Sequence, residues 1–411
     1  ARRTAPDRSL HVGDILVEAW SAGTEMRGIS HCGFRPTRII LDDVEDSAGV
    51  ESAVRRERLR EWFVEVVEHL GDAATGIDVI GTLLHPESLL AWLLKRPDFS
   101  GRIYRAITSF AGNDTLWEEW RRIMVNLDDP ERMMTAKRFF LARRDEMLRG
   151  ARVLWPERED YPELMRQMTL LGRGAFYQEK QNEPRGAESG LISRDRLRWF
   201  TVEGDTLLVE QAGCDPRRTP LYGLVVAGFL DAALGGGGRG RRPGDYAAIA
   251  TVGRDRAGFC YVLDVWLRRV PPSAQAVRIF ELHARYRYAR FGLEANCFQS
   301  LMRYPIEEER ARRRDRGEPW DVCVEEVAHR DPKERRLAAL EPAAANGWLL
   351  FNRALPEEFL RQLEDIPRGL HDDGPDALAG AWKILEEPGL DRDGGPEAAG
   401  SGGVAGRLRR Y

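Results

Sequence analysis

The chain has 411 residues, 43% of them hydrophobic and 31% charged, with a formal net charge of −4. That length holds two or three domains with sizeable cores, and the balance excludes a chain that is disordered throughout. The charge argues against a uniformly basic nucleic-acid coat, yet 62 Lys and Arg leave room for a local basic groove. The cysteines, Cys32, Cys214, Cys260, Cys297 and Cys323, are scattered and form no C-x-x-C, so a reduced, cytoplasmic setting and no zinc signature are expected. No apolar run is long enough to span a bilayer, and no signal peptide opens the chain. The first residue is Ala, and the N-terminus reads as the continuation of an upstream segment.

Residues 11 to 125 read as α/β. The runs 14–19 and 38–41 predict buried strands, with a turn-rich stretch, 21–28, between them. A charged helix is expected from Glu51 to Leu70 and a third strand over 76–82. Strand, helix, strand in this order predicts a parallel sheet. Residues 126 to 215 read as mainly helical, with Asp129-Pro130 as a helix start and one long Arg-rich helix over 131–152. Strands are then expected over 224–230, 246–253 and 258–270, close enough together for an antiparallel meander. A helix over 273–290, a strand ending at Glu294, another helix, a strand over 322–327 and a final helix over 376–387 complete the pattern. Three strands, helix, strand, helix, strand, helix is the element order of the RNase H-like fold. The Gly-rich tail, 387–411, predicts disorder.

Four acids stand out on this pattern. Asp231 and Glu294 each end a short apolar run, and Asp373 and Asp376 open the last helix. In an RNase H-like layout they converge on one edge of the sheet. Converging carboxylates are what hard divalent cations need, and two such ions can cut a phosphodiester. Asp245 is a fifth candidate, expected near Asp231 across a hairpin. The loop before it, Gly235 to Gly244, carries Arg239, Arg241 and Arg242, either as a flexible link or as a track for DNA phosphates. For any one of these acids a solvated strand end is the commoner explanation; the ordered set points to a site.

Several segments, in order, resemble the large terminase subunit of tailed bacteriophages, a DNA-packaging ATPase joined to an RNase H-like nuclease. Phe229-Leu230-Asp231 with Gly244-Asp245-Tyr246 resembles the first nuclease motif. Gly292-Leu293-Glu294-Ala295-Asn296 with Gln299 resembles the second. Gln362-Leu363 with His371-Asp372-Asp373-Gly374-Pro375-Asp376-Ala377-Leu378 resembles the third. Phe176 to Pro184 resembles the segment between the two domains. The resemblance covers nearly all of residues 11 to 385. It implies metal binding by Asp231, Glu294 and Asp376, Asp373 or both, and it places Asp245 near the metals.

The resemblance extends upstream. Arg38-Ile39-Ile40-Leu41-Asp42-Asp43 resembles a Walker B strand, in which Asp42 holds the water shell of Mg²⁺. Asp43 stands where the family has the glutamate that orients water, and Glu45 is a possible substitute. Ile80-Gly81-Thr82 resembles the coupling motif, with Thr82 as a γ-phosphate sensor, and Arg27-Gly28 matches a position before Walker B. No G-x-x-x-x-G-K-[ST] exists and no Gly-Lys dipeptide occurs. The phosphate-cradling loop is therefore absent, and ATP is expected to be a cofactor only with an upstream segment.

The reading is thus a partial P-loop-type parallel sheet (1–125, Walker B and coupling motif), a helical connecting subdomain (126–215), an RNase H-like nuclease domain with a mixed sheet flanked by helices (216–386), and a tail. The resemblance implies a two-metal endonuclease using Mg²⁺ or Mn²⁺ on concatemeric double-stranded DNA. The implied partners are a small terminase subunit, a portal ring and other copies of this chain on the portal, with no membrane, in the host bacterial cytoplasm. Two other readings stay open: an RNase H-like enzyme of transposase or resolvase type, and an inactive prophage remnant that only binds DNA or a capsid partner.

Overall fold

The computed structural model describes residues 9–24, 26, 29–46, 49–50, 52–184, 192–211, 214–233, 246–295, 298–318, 321–328, 333–366, 369 and 371–387. The chain divides into two compact units. One comprises Ala1–Arg196, Arg330–Gly347 and Glu364–Arg368, and the other Leu197–His329, Trp348–Leu363 and Gly369–Tyr411.

The first unit opens with a hairpin of β1 (Ser9–Val12) and β2 (Ile15–Glu18), closed through Gly13 at φ +60°. The run around Asp14 was expected in the parallel sheet. Instead its strand folds back on its neighbour, because a glycine free to take positive φ sits where a tight turn needs one. β3 (Arg38–Asp42) and β4 (Gly76–Ile80) pair in parallel, with Asp42 opposite Ile80. Between them runs α1 (Ala53–Trp62), continued by one π-helical stretch over Phe63–Val67. The crossover buries Leu41, Phe63, Val67, Leu89 and Leu93 together, with Ile39, Ile77, Val79 and Trp92 packed around them. The last of these come from α2 (Leu89–Leu93). The opposite face of the pair carries the exposed Ile40 and Ile80.

The unit continues through β5 (Ile107–Ser109), α3 (Asp114–Val125), α4 (Arg132–Ala142), α5 (Arg144–Met147), β6 (Arg152–Val153), α6 (Tyr161–Leu171) and α7 (Arg173–Gln181). The single helix expected over 131–152 is broken at Arg143, which leaves helical geometry at φ −128° and ψ 20°. Gly150 at φ +84° then turns the chain into β6. Trp117 holds this region together. Its indole N–H donates to the Met147 carbonyl at 2.8 Å, and its ring packs edge-on against Trp120 and Tyr161.

The second unit is built on one nine-stranded sheet. Its strands are β7 (Arg198–Glu203), β8 (Thr206–Gln211), β9 (Cys214–Pro220), β10 (Val225–Asp231), β11 (Ala247–Arg254), β12 (Cys260–Arg268), β13 (Arg290–Glu294), β14 (Val324–Val327) and β15 (Leu349–Asn352), in the order β14-β13-β10-β11-β12-β15-β7-β8-β9. The helices are α8 (Pro272–Tyr286) between β12 and β13, α9 (Arg303–Asp315) between β13 and β14, and, after the first unit's α10 (Lys333–Ala338) and α11 (Leu340–Ala345), α12 (Glu357–Asp365) and α13 (Asp373–Glu386). β10, β11 and β12 form the expected antiparallel meander, and β13 and β14 join β10 in parallel. That five-stranded core is the RNase H-like arrangement expected from element order.

Two features depart from the sequence reading. Residues 198–220, expected to be part of a helical segment, form three strands, and β15 inserts in parallel between β12 and β7. Among the described residues no helix is long and apolar enough to cross a membrane.

Candidate active site

β10 and β11 are apolar on both faces, as central strands must be: Val225 to Leu230 and Ala247 to Gly253 are all buried. Where burial ends, β10 ends, on the half-buried Asp231. β13 behaves alike, with Phe291, Gly292 and Leu293 buried and the half-buried Glu294 last. The parallel ladder pairs Phe229 with Gly292 and Leu230 with Leu293. Asp231 and Glu294 each directly follow the last of these pairs, on strands about 4.8 Å apart. Paired residues of a parallel ladder point to the same face, and each acid lies two residues beyond the Phe229–Gly292 pair, so both acids point to one face.

The glycines identify that face. A Cβ on Gly292 would come 2.6 Å from Ile384 of α13, and one on Gly380 of α13 would run into the Phe229 ring. Phe229 and Gly292 lie two residues before Asp231 and Glu294, hence on the same side of their strands. α13 covers the face that carries both acids. Its direction is fixed at the far end. Arg254, opposite Val225 at the start of β10, donates to the Leu385 carbonyl, and Arg290 at the start of β13 pairs with Glu387 at 2.7 Å. α13 thus runs antiparallel to β10, and its first turn lies at the strands' carboxyl ends.

That direction places the last two acids. From Gly380, over Phe229, four residues back to Asp376 is about 6 Å of helix. From Phe229 two residues on to Asp231 is about 6.6 Å of strand. Asp376 stands level with Asp231, and Asp373 one turn beyond it. Both are buried, at 7% and 8% exposure. The backbone N–H of Gly374 donates to the Gln362 side-chain carbonyl at 3.0 Å, tying the helix start to α12. Gln275, fully buried on α8, donates to the Ala233 and Val270 carbonyls and so fixes the chain just past Asp231. Sequence reasoning did not single out Gln275, and it placed Gln362 in the third motif without a role.

The four acids share one edge and one face. Among the described residues no three His, Cys, Asp or Glu side chains gather closely enough to hold a metal ion by themselves. Like-charged carboxylates repel at short range unless a cation lies between them. Asp245, the Gly235–Gly244 loop and Asn296 lie outside the described residues, as does the side chain of Gln299.

Other acids of this unit have structural work. Asp264 of β12 faces Arg278 of α8 at 3.5 Å, and burial raises its pKa. It lies on the α8 face, where Tyr288 and Thr251 share a 2.7 Å hydrogen bond and burial pushes the Tyr288 phenol well up. Asp255 accepts from the Ala257 and Phe259 amides and pairs with Arg217 at 2.8 Å, holding the β11–β12 turn.

In the first unit, Asp42 ends β3 and is exposed. Asp43 takes φ +43° and donates its N–H to the Ile80 carbonyl at 3.0 Å, and a Cβ on Gly81 would lie 3.1 Å from Asp43 Oδ1. Asp42, Asp43 and the half-buried Thr82 therefore follow the carboxyl ends of two adjacent parallel strands. Glu45 is engaged elsewhere. Its carboxylate accepts from the Leu89 and Leu90 amides at 2.7 and 3.3 Å, at the start of α2. The stretch after Thr82 is clasped by the 176–184 segment: the Leu83 N–H donates to Asn182 Oδ1 and Gln178 Nε2 to the Leu84 carbonyl, both at 2.9 Å. Arg27 and Gly28 lie outside the described residues.

No protein-family model matches the chain, and no curated protein matches it. Solved structures do. The large terminase nuclease of thermophilic phage G20c aligns at 14% identity and a TM-score of 0.30, over 47% of this chain and 98% of that one. The human cytomegalovirus terminase nuclease domain, Mn-soaked and inhibitor-bound, aligns at 14% identity and a TM-score of 0.29, over 41% of this chain and 86% of that one. The large terminase of another thermophilic bacteriophage, in complex with ADP, aligns at 10% identity and a TM-score of 0.41, over 86% of this chain and 71% of that one. These are large terminases and their nuclease domains, the family that the motifs resemble.

Proposed function

We propose that the chain is a large terminase subunit whose second unit is a divalent-metal endonuclease acting on concatemeric double-stranded viral DNA. The observation that carries this reading is that Asp231 and Glu294 directly follow the last paired residues of two adjacent central strands, Leu230 and Leu293, on the face that α13 covers with Asp373 and Asp376 in its first turn. The donor set is all carboxylate oxygen, the chemistry that suits Mg²⁺ or Mn²⁺. Asp231, Glu294, Asp376 and Asp373 would hold two such ions, and Asp245 would assist. Bound ions would activate a water and neutralise charge on the leaving 3′ oxygen.

The protein's own part is positional. The ladder up to Leu230 and Leu293 would bring Asp231 beside Glu294, and the Gln275 clamp holds the chain past Asp231. The Gln362 cap and the close fit of Gly380 on Phe229 set the height of Asp376 and Asp373. Preorganised carboxylates spare the cost of collecting four like charges when DNA arrives.

The first unit is read as the Walker B and coupling part of a DNA-translocating ATPase. Asp42 would hold the Mg²⁺ water shell and Thr82 would sense the γ-phosphate. Asp43 is the better candidate to orient water, since Glu45 already caps α2. Without a P-loop the described strands lack a cradle for the β- and γ-phosphates, so ATP turnover by this chain alone should be negligible. Partners on this reading are a small terminase subunit, the portal ring and further copies of the chain, in the host cytoplasm.

Purified protein, supercoiled plasmid and Mn²⁺ provide the test. Asp231→Ala should reduce cutting at least about 100-fold with its thermal melting preserved. Undiminished cutting by that variant would sink the assignment.

A further inference from the structure

The head of α9 reaches the sheet edge on which the four acids lie, and the proposed chemistry leaves it without a part. β13 and β14 run parallel, with Phe291 opposite Val324, and α9 carries the chain back between them. The helix is anchored at its far end. Arg310 donates to the Asp321 carboxylate at 2.7 Å and to the Val322 carbonyl at 3.1 Å, just before β14. α9 therefore runs antiparallel to the strands, and its first residues, Arg303 and Tyr304, stand at the carboxyl edge, past Glu294. Arg313 over the Phe280 ring, at 5.3 Å, sets the helix against α8. That is the face opposite α13: Asp264, which meets α8, pairs with Thr251, and Thr251 with Gly228, the neighbour of Phe229.

The charge pattern along α9 sets this head apart. Further along, guanidinium groups are tied to acids: Arg310 to Glu307 and Asp321, Arg312 to Glu308, and Arg313 to Glu309 and Glu318. Arg303 is exposed and, among the described residues, makes no ion pair, hydrogen bond or ring contact. Tyr304 is 78% exposed, and its phenol makes no hydrogen bond among them either. Together with Ser300, Leu301 and Glu307 the two side chains line an open cavity of about 240 Å³. The Glu307 charge is offset by Arg310 at 2.6 Å. A π-helical turn, Phe298–Met302, leads directly into α9, and such turns recur at functional sites. Arg, Tyr and Ser are side chains that hydrogen-bond the phosphate oxygens of DNA, and a guanidinium does so through a two-pronged fork.

We infer that Arg303 and Tyr304 bind the sugar-phosphate backbone of duplex DNA beside the cut, where the strand leaves the acids on the α8 side. The inference rests on the reading of this edge as a DNA-cutting site and adds a sequence-independent contact to it. Contacts of this kind fix register and orientation on the duplex and carry no base information. Each phosphate neutralised by a side-chain cation also releases counterions, which steepens the salt dependence of binding.

The experiment titrates the full chain into a fluorescein-labelled DNA duplex in Ca²⁺ over graded NaCl, with binding read by anisotropy. Arg303→Ala should weaken binding about ten-fold and make the fall of log K with log salt shallower by about one, equally for duplexes of different sequence. Arg303→Lys keeps the charge and should keep the parental slope. Tyr304→Phe keeps the ring and removes one hydrogen bond; it should weaken binding about three-fold at an unchanged slope, and it covers the case in which the alanine variant does not fold. Arg314→Ala removes an exposed guanidinium without a described partner from the far end of α9 and should bind like the parent. Parental binding in Arg303→Ala or in Tyr304→Phe overturns the inference. Equal losses in Arg303→Ala and Arg314→Ala do so too, since they would mark net charge rather than a contact. The two failures are separable: a parent that binds no duplex brings down the reading of the edge and the inference with it, whereas a parent that binds and an Arg303→Ala that matches it bring down the inference alone.

Discussion

The two units use the same local device with different degrees of completion. In each, an apolar strand with a parallel partner ends on an acid: Asp42 on β3, Asp231 on β10. In the second unit the strand is paired on both sides, buried on both faces and capped by a helix that brings two further buried acids. In the first, among the described residues, β3 has one partner, and Ile40 and Ile80 lie 64% and 59% exposed on the open face. On the proposed reading, a strand-end acid serves as a site when neighbouring elements bring further acids to the same edge. Burial follows the same division, since Asp42 is exposed while Asp373 and Asp376 are not.

The sharpest test of that contrast pairs Asp231→Ala with Asp42→Ala in the Mn²⁺ plasmid assay. The first should lose at least about 100-fold; the second should cut at the parental rate. Equal loss in both would mean that the two edges are not independent devices. Next in size is Gly380→Ala. Helix propensity favours alanine by about 1 kcal/mol, but the new methyl meets a ring that is 1% exposed. Overpacking costs about 1–3 kcal/mol and should win, lowering the denaturation midpoint of the second unit. A stabilised variant would show that α13 rides higher on β10 than its glycine implies.

Smaller still is Glu45→Ala, which removes the acceptor of two α2 amides. It should cost about 1 kcal/mol of first-unit stability and leave cutting unchanged. A variant of parental stability that alters a nucleotide-dependent activity would restore Glu45 as a chemical residue. The smallest expected effect is that of Ile40→Ser. An exposed side chain on an uncovered face should contribute within about 0.5 kcal/mol. A larger loss in chemical denaturation would mean that the face is covered in solution.

Much of the second unit was legible because its signals are local. Apolar runs ending in acids gave β10 and β13, tight spacing gave the β10–β12 meander, and element order gave their arrangement. The height of Asp376 over Asp231 was not legible. It depends on the fit of Gly380 on Phe229 and on the anchors from Arg254 and Arg290, residues far apart in sequence. β15 and β9 escaped for different reasons. Leu349–Asn352 is too short to declare its parallel partners, and Cys214–Pro220 carries an Asp, three charges in all and two prolines, which read as loop. In the first unit, Glu45 read as a substitute for Asp43 as the water-orienting acid, because the α2 amides that it accepts from lie 44 and 45 residues away in sequence.

The insertion of β15 has a consequence for how the chain is made. Residues 349–352 supply the strand that joins β12 to β7, so the β7–β9 meander leaves the ribosome about 130 residues before the strand that connects it to the rest of its sheet. Until then β7 and β12 each present an open edge, a standing invitation to intermolecular pairing. A chain stopped just before Leu349 would retain both acidic strands and still be prone to aggregate. The latest strand to arrive in that sheet, four residues long, closes the gap between its two halves.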